Sequence, residues 1–285
     1  MIFEYNVQSP VTLKTFLYEQ NFSKKTISAI KQDGALLVNN TPKTVRHQLS
    51  IGDMVVVKLP REVPSGNLIP FDKPLDILYE DEWLLIVNKS HHQNCGPSRE
   101  HPHESLVEQV LAYMHRHDEP GIPHIVTRLD RHTMGIVIIA KSRHIHHLMS
   151  TISITKLYEC ICKGVLTEPG VIEQPIARHS ESIIERVVSN NGKYAKTLYW
   201  PIQNNEMYTL CRVKLETGRT HQIRVHFKHI GHPLVGDYLY GEVHPYYKTQ
   251  LLKCAEVIFV HPITKKEVCI QTAKPQLVHI LQTLS

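Results

Sequence analysis

Two polar stretches of this chain carry residue types that could do chemistry together. The first, Thr127-Arg128-Leu129-Asp130-Arg131-His132-Thr133-Met134-Gly135, lies between the apolar runs Ile125-Val126 and Ile136-Val137-Ile138-Ile139-Ala140. Short runs rich in β-branched residues read as two buried strands. Charged residues are rarely buried without partners, so the insert is either an ordinary exposed loop or a rigid scaffold presenting Asp130. The second stretch, Glu216-Thr217-Gly218-Arg219-Thr220-His221-Gln222-Ile223-Arg224-Val225-His226-Phe227, opens a helix that stops at Gly231. Thr217 or Thr220 caps that helix, Ile223, Phe227 and Ile230 face the core, and Arg224 and Lys228 share another side. Arg212, Lys214, Arg219, Arg224 and Lys228 stand against Glu216 alone. A basic helix start beside a glycine turn suits an anion; it also reads as a solvated basic helix. A carboxylate that faces an arginine is held ionised, and an ionised aspartate can act as a nucleophile or as an acceptor at a sugar carbon. Such a pair also avoids the penalty of a lone buried charge. The residue types alone point to an Asp/Arg site in a basic groove.

Composition bounds what surrounds that site. The 285 residues, 42% hydrophobic and 21% charged, allow one large globular domain and a small one. A net charge of +5 permits a polyanionic partner without demanding one. No apolar run reaches membrane-spanning length and no N-terminal signal pattern is present, so the expected location is the cytoplasm, with no membrane partner. Of the six cysteines, none forms a C-x-x-C pair and four fall in apolar strand-like runs; reduced core thiols are expected rather than a zinc site. The twenty histidines include His91-His92, His101, His103 and His146-His147 but no ligand spacing, and read as surface residues.

The elements that must position the site follow in order. Ser9-Pro10 opens a helix to about Gln20, and Ser23 caps a second from Lys24 to Gln32, stopped by Gly34. A strand from Ala35 to Val38, an Asn39-Asn40 turn and a strand from Met54 to Leu59 complete residues 1–60. That segment holds seven Lys and Arg against four Asp and Glu, with Lys24, Lys25 and Lys31 off the apolar face of the second helix. Residues 61–74, with Pro64, Gly66, Pro70 and Pro74, read as a linker to a domain over 75–285. There, strands are expected over Leu75–Tyr79, Trp83–Val87, Tyr158–Leu166 and Tyr208–Leu215. Helices are expected over Glu104–His117 and Ser142–Ile154.

Two resemblances add to this reading. Ser23-Lys24-Lys25, Ile27, Ile30, the Gly34–Asn39 run and Ile51-Gly52-Asp53-Met54-Val55 resemble the S4 RNA-binding module. That likeness implies phosphate contact by Lys24, Lys25 and Lys31. Arg128-Leu129-Asp130, Thr133, Gly135 and Ala140-Lys141 resemble the motif of RluA/RluD-type pseudouridine synthases. Tyr158, Gly164, Gly192-Lys193, Ala195, Thr197, Thr217–His226, Gly231–Asp237 and Tyr240-Gly241 continue the likeness in order.

The resemblance implies an α+β fold, with a long mixed, mainly antiparallel sheet in the larger domain and a small S4-like αL domain before it. It implies isomerisation of uridine to pseudouridine in structured RNA, with large-subunit ribosomal RNA the expected target and transfer RNA the alternative, and without cofactor or metal; two self-contained domains are expected to form a monomer. Asp130 would act at the ribose C1′ or, alternatively, at uracil C6; Tyr158 would pack on the base and could take the C5 proton; Arg224 would pair with Asp130, with Arg219 a second candidate for that pairing. Arg128 would fill the stack that the uridine leaves. Three positions depart from the family pattern: Thr127 where histidine is usual, Met134 where serine is usual, and Asn88-Lys89-Ser90-His91-His92 without its usual Pro and Gly. These departures keep open a rival reading, an RNA-binding ribosome-assembly protein of weak or no activity on the same scaffold.

Overall fold

The computed structural model describes residues 1–64, 66–272 and 276–284; residue 65, within the segment read as a linker, lies outside them. The chain begins with β1 (Ile2–Asn6), α1 (Leu13–Glu19), α2 (Lys24–Asp33), β2 (Ala35–Val38), β3 (Thr41–Pro42) and β4 (Met54–Lys58). These strands form an antiparallel sheet in the order β1-β4-β2-β3. Strand β1 is an addition to the sequence reading: only Phe3 of its five residues is buried, which leaves little period-2 signal. Helix α1 starts at Leu13 rather than Ser9-Pro10, because the Thr12 side chain accepts the Thr15 N–H and takes the cap. Helix α2 is capped by Ser23 as expected. Asn39 and Asn40 both adopt positive φ, 48° and 64°, at the tip of the β2–β3 hairpin.

The larger unit continues with β5 (Ile77–Glu80), β6 (Leu84–Lys89), α3 (Leu106–Arg116), β7 (His124–Ile125), β8 (Met134–Ala140), α4 (Arg143–Ser150), β9 (Ile154–Lys163), β10 (Gly170–Glu173), β11 (Ile176–Arg178) and β12 (Arg186–Val188). It ends with β13 (Lys196–Asn204), β14 (Tyr208–Leu215), α5 (Gln222–His229), β15 (Leu252–Val260), β16 (Glu267–Gln271) and α6 (Gln276–Thr283). The large sheet runs β10-β13-β14-β9-β15-β8-β6-β5, with β16 beside β15 and β7 beside β8. Its pairings are antiparallel except β15 with β8. This is the expected long mixed, mainly antiparallel sheet. β11 and β12 pair separately.

Three element readings need correction. The apolar run before Thr127 is not a buried strand: β7 is two half-buried residues, whereas all seven residues of β8 are buried. Strand β9 begins at Ile154 rather than Tyr158, since its first four residues are only half-buried and read poorly as core. Helix α4 accordingly stops at Ser150, before Ile154. All six cysteines are free thiols, and Cys269 alone is exposed.

One apolar cluster runs through both sheets, from Phe3, Leu13 and Phe22 to Ile86, Ile138 and Cys254. At the junction the His144 ring of α4 stacks on Phe22 at 4.1 Å and meets Phe3 edge-on at 5.2 Å. Neither ring nitrogen of His144 has a hydrogen-bond partner. Near both ends of the 61–74 segment, described residues bond to the larger unit. Glu62 bonds His124 at 2.7 Å and accepts the Arg143 N–H at 2.8 Å, while the Gln109 amide donates to the Lys73 and Pro74 carbonyls.

Candidate functional site

The loop carrying Asp130 is fixed by bonds from several elements. Thr127 Oγ1 accepts the Ile138 N–H of β8 at 2.9 Å, a structural use for the residue that stands where histidine was expected. The Leu129 N–H donates to Cys95 Sγ at 3.3 Å, and the Thr133 N–H donates to the Asp130 carbonyl at 3.1 Å. Lys89, 1% exposed, donates from Nζ to the carbonyls of Ser90, Gln93 and Arg131. Burial pulls its ammonium down to about 8. Lys89 thus ties the altered 88–92 segment to the Asp130 loop. Gly135, at φ +108°, closes the loop where a Cβ would collide with the Cys254 backbone of β15.

The second stretch meets the first from α5. Its cap differs from the expectation: His221, with a left-handed backbone at φ 57°, occupies the N-cap without a side-chain cap bond. Thr217 instead accepts the Lys196 N–H and donates to Gln222, whose side-chain oxygen also accepts the Arg219 N–H. Ile223 and Phe227 are buried as predicted. Arg224 is buried too, and its Nη1 lies 3.6 Å from Asp130 Oδ2. Nε and Nη2 of the same guanidinium bind Asp237 in a fork, both at 2.7 Å. Burial opposes the Arg224 charge, but the bonds and charge of Asp237, and then Asp130, outweigh it and raise the guanidinium above its ordinary value. Arg224 and Lys228 do share a side, both lying over the Tyr240 ring at 4.9 and 5.6 Å.

The two stretches line a cavity of about 540 Å³ in which Asp130 is the one carboxylate among the described lining residues. Arg128, Arg131, Lys156, Arg219 and Arg224 line it as well. An adjoining hollow shares Gly218, Arg219 and Thr220 and adds Arg178, Arg186 and Lys193 with no acidic residue. The basic groove read from the sequence is therefore present. Asp130 keeps its side chain 30% exposed, open to a ligand.

The structure brings Asp130, Tyr158, Arg224, Arg128 and Arg219 to one cavity. Tyr158 comes from β9; burial drives its phenol well above the usual range, and it bonds the Cys254 thiol. Arg219 does not pair with Asp130, its Nε donating to the Tyr194 carbonyl at 2.9 Å. Lys24, Lys25 and Lys31 are exposed on α2 and are not among the lining residues. Sequence reasoning gave no role to Asp237, Lys89, His221 or Tyr240. The signal available for Asp237 was its place at the end of the Gly231–Asp237 run, which continues the family likeness, thirteen positions after Arg224. Among the described residues no group of three or more His, Cys, Asp and Glu could hold a metal ion, and no helix is long and apolar enough to cross a membrane.

Comparison with known proteins bears on the same region. Residues 83–229 match the family described as RNA pseudouridylate synthase. An uncharacterized RNA pseudouridine synthase of Bacillus subtilis is 38% identical over 272 residues, covering 93% of this chain and 96% of that protein. The ribosomal large subunit pseudouridine synthase D of Pseudomonas aeruginosa is 36% identical over 225 residues, covering 77% and 69%. The solved structure of human RNA pseudouridylate synthase domain containing 1 shares the fold, with a TM-score of 0.59 at 22% identity over 78% of this chain and 98% of that one.

Proposed function

The chain belongs to the RNA pseudouridylate synthase family, and from that premise we propose that Asp130 isomerises uridine to pseudouridine in structured RNA of the large ribosomal subunit. The observation that carries this reading is the geometry of Asp130: one partly exposed carboxylate on a cavity wall, 3.6 Å from a buried arginine whose other edge is clamped by Asp237. The substrate assignment is supported by relatives named ribosomal large subunit pseudouridine synthase D, 34–38% identical to this chain.

The chemistry follows from what each residue offers. A stacked uridine must leave its helix before C1′ can be reached, at a cost of roughly a few kcal/mol. Arg128, exposed at the cavity edge, fills the vacated stack with its planar guanidinium. Asp130 acts at C1′ while the N1–C1′ bond breaks. The freed uracil turns, C5 bonds to C1′, the C5 proton departs and N1 gains one, so no atom is gained or lost overall. Tyr158, pressed against the cavity wall, packs on the base and returns about 1–3 kcal/mol of stacking. Arg224 balances the Asp130 charge and holds its direction.

The module over residues 1–60 is read as S4-like, with Lys24, Lys25 and Lys31 contacting phosphate; residues 61–74 join it to the catalytic domain over 75–285. Two helices on a small sheet, with these three lysines exposed, support that assignment.

The decisive experiment is carbodiimide mapping of pseudouridine in total RNA from cells lacking this protein, complemented with wild type or Asp130→Asn. A site lost on deletion and restored only by wild type is expected. A site restored equally by Asp130→Asn would reject Asp130 as the acting group. No changed site, with the purified protein still binding ribosomal RNA, would favour a non-catalytic assembly role.

A further inference from the structure

His221 is the residue of this cavity whose placement neither the Asp130–Arg224 pair nor the Asp237 clamp explains. Its backbone sits in the left-handed region at φ 57° and ψ 20°, a conformation that side chains other than glycine adopt at some cost and keep where the surroundings enforce it. The ring is largely buried, its side chain 11% exposed. Nδ1 lies 2.8 Å from Tyr240 Oη, and Nε2 lies 3.8 Å from Asp130 Oδ2.

The hydrogens can be assigned from the network. Tyr240 Oη accepts the Arg186 backbone N–H at 2.8 Å. Its own O–H then needs an acceptor, and His221 Nδ1 is the group placed to accept it. A neutral imidazole that accepts at Nδ1 carries its proton on Nε2. Nε2 is the ring nitrogen nearest to Asp130, 3.8 Å from Oδ2. The Tyr240 ring is 4% exposed and packs edge-on to the imidazole, with Arg224 over its face, so the phenol has little freedom to turn away.

We propose that His221 is a positioning residue for Asp130: locked as its Nε2–H tautomer by the Tyr240 hydroxyl, it directs an N–H at Oδ2 and, with Arg224, fixes the carboxylate toward the cavity. At 3.8 Å the contact is longer than a hydrogen bond, and the proposal requires it to shorten on substrate binding, as bonds at such sites commonly do. The effect on turnover rests on the proposed role of Asp130, whereas the tautomer assignment does not. The arrangement costs no extra charge next to Arg224, because the imidazole donates while neutral.

Three substitutions separate this role from a structural one. His221→Asn suits the left-handed backbone and reaches Tyr240 from the Nδ1 position, but it is too short to reach Asp130. His221→Gln returns an N–H at the Nε2 position. Tyr240→Phe keeps the ring under Arg224 and removes the hydroxyl. On one RNA substrate, His221→Asn and Tyr240→Phe lower kcat by about 10- to 100-fold with KM within about threefold, and His221→Gln recovers most of the loss at an unchanged Tm. Wild-type kcat in His221→Asn, or no recovery in His221→Gln, would overturn the proposal.

Nitrogen-15 NMR of the free protein, with the His221 signal assigned by its loss in His221→Asn, tests the tautomer without reference to turnover. A proton on Nε2 is expected in the wild type, and mixed tautomers in Tyr240→Phe. A proton on Nδ1 in the wild type would refute the assignment even in a fully active enzyme. An Nε2 proton in an enzyme indifferent to all three substitutions would refute positioning and leave the chemistry of Asp130 untouched.

Discussion

At the scale of single residues, the site depends on a guanidinium that two carboxylates share unequally. Asp237 is fully buried and holds Arg224 through two short bonds, while Asp130 stands farther off and keeps a face to solvent. Removing the buried carboxylate strands the Arg224 charge in the interior, which costs about 3–5 kcal/mol. Asp237→Ala is therefore expected to lower Tm markedly and to abolish turnover, whereas Asp237→Asn, which keeps one acceptor, retains more of both. Thermal melting with parallel turnover assays checks this; an unchanged Tm in Asp237→Ala would mean that solvent reaches Arg224. The sequence made Asp130, Tyr158 and Arg224 legible because each lies within a recurring motif. It did not disclose the Asp237 fork, since the family-like run Gly231–Asp237 names the carboxylate without its partner, nor the Lys89 anchor, since a lysine gives no sign of burial until three carbonyls are found around it.

At the scale of elements, two features set what each stretch can do. Strand β8 reaches β15 only because Gly135 lets the backbones approach, and its φ of +108° is one that L side chains rarely adopt. Gly135→Ala should therefore destabilise the large sheet and lower the denaturant midpoint clearly more than Gly218→Ala, where a Cβ meets nothing within 4 Å. Equal midpoints for the two variants would contradict the close approach. Helix α2 exposes Lys24 and Lys25 and buries Ile27 and Ile30. Lys24→Ala with Lys25→Ala should weaken RNA binding and flatten the plot of log affinity against log salt by about one to two units. An identical slope would exclude phosphate contact by these lysines.

Boundaries were legible at this scale where the local chemistry was strong, as for the Ser23 cap, the Asn39-Asn40 turn and the strand β14. They were illegible where neighbours decide them. β1 has one buried side chain, the start of β9 is half-buried, and the start of α5 is capped by a strained histidine rather than a threonine.

At the scale of the whole molecule, the junction between the two sheets contains a histidine that must remain neutral. His144 is 1% exposed, and burial lowers it from 6.5 to about 4. The folded state thus binds this proton less readily than the unfolded chain. Its share of stability is complete above pH 6.5 and is lost as pH falls from there toward 4, by about 3 kcal/mol. His144→Phe keeps a ring against Phe22 and cannot take up a proton. The stability difference between wild type and His144→Phe should change by that amount between pH 7 and pH 4 in urea titrations, and a constant difference would show that His144 titrates normally. Burial and partner loss at this position could not be read from a histidine-rich sequence, because His144 lies among the neighbours His146 and His147 that any surface reading also fits.

The apolar cluster that crosses this junction also bears on how a target is chosen. With Phe3, Phe22 and the strands under Asp130 in one packed cluster, and with Glu62 bonded to His124 and Arg143, α2 and the cavity keep a set separation. If α2 grips a phosphate and Asp130 receives a uridine, as proposed above, the two must match that separation. On the proposed reading the protein would act as a caliper on folded RNA, a uridine qualifying by its distance from a second feature of the fold.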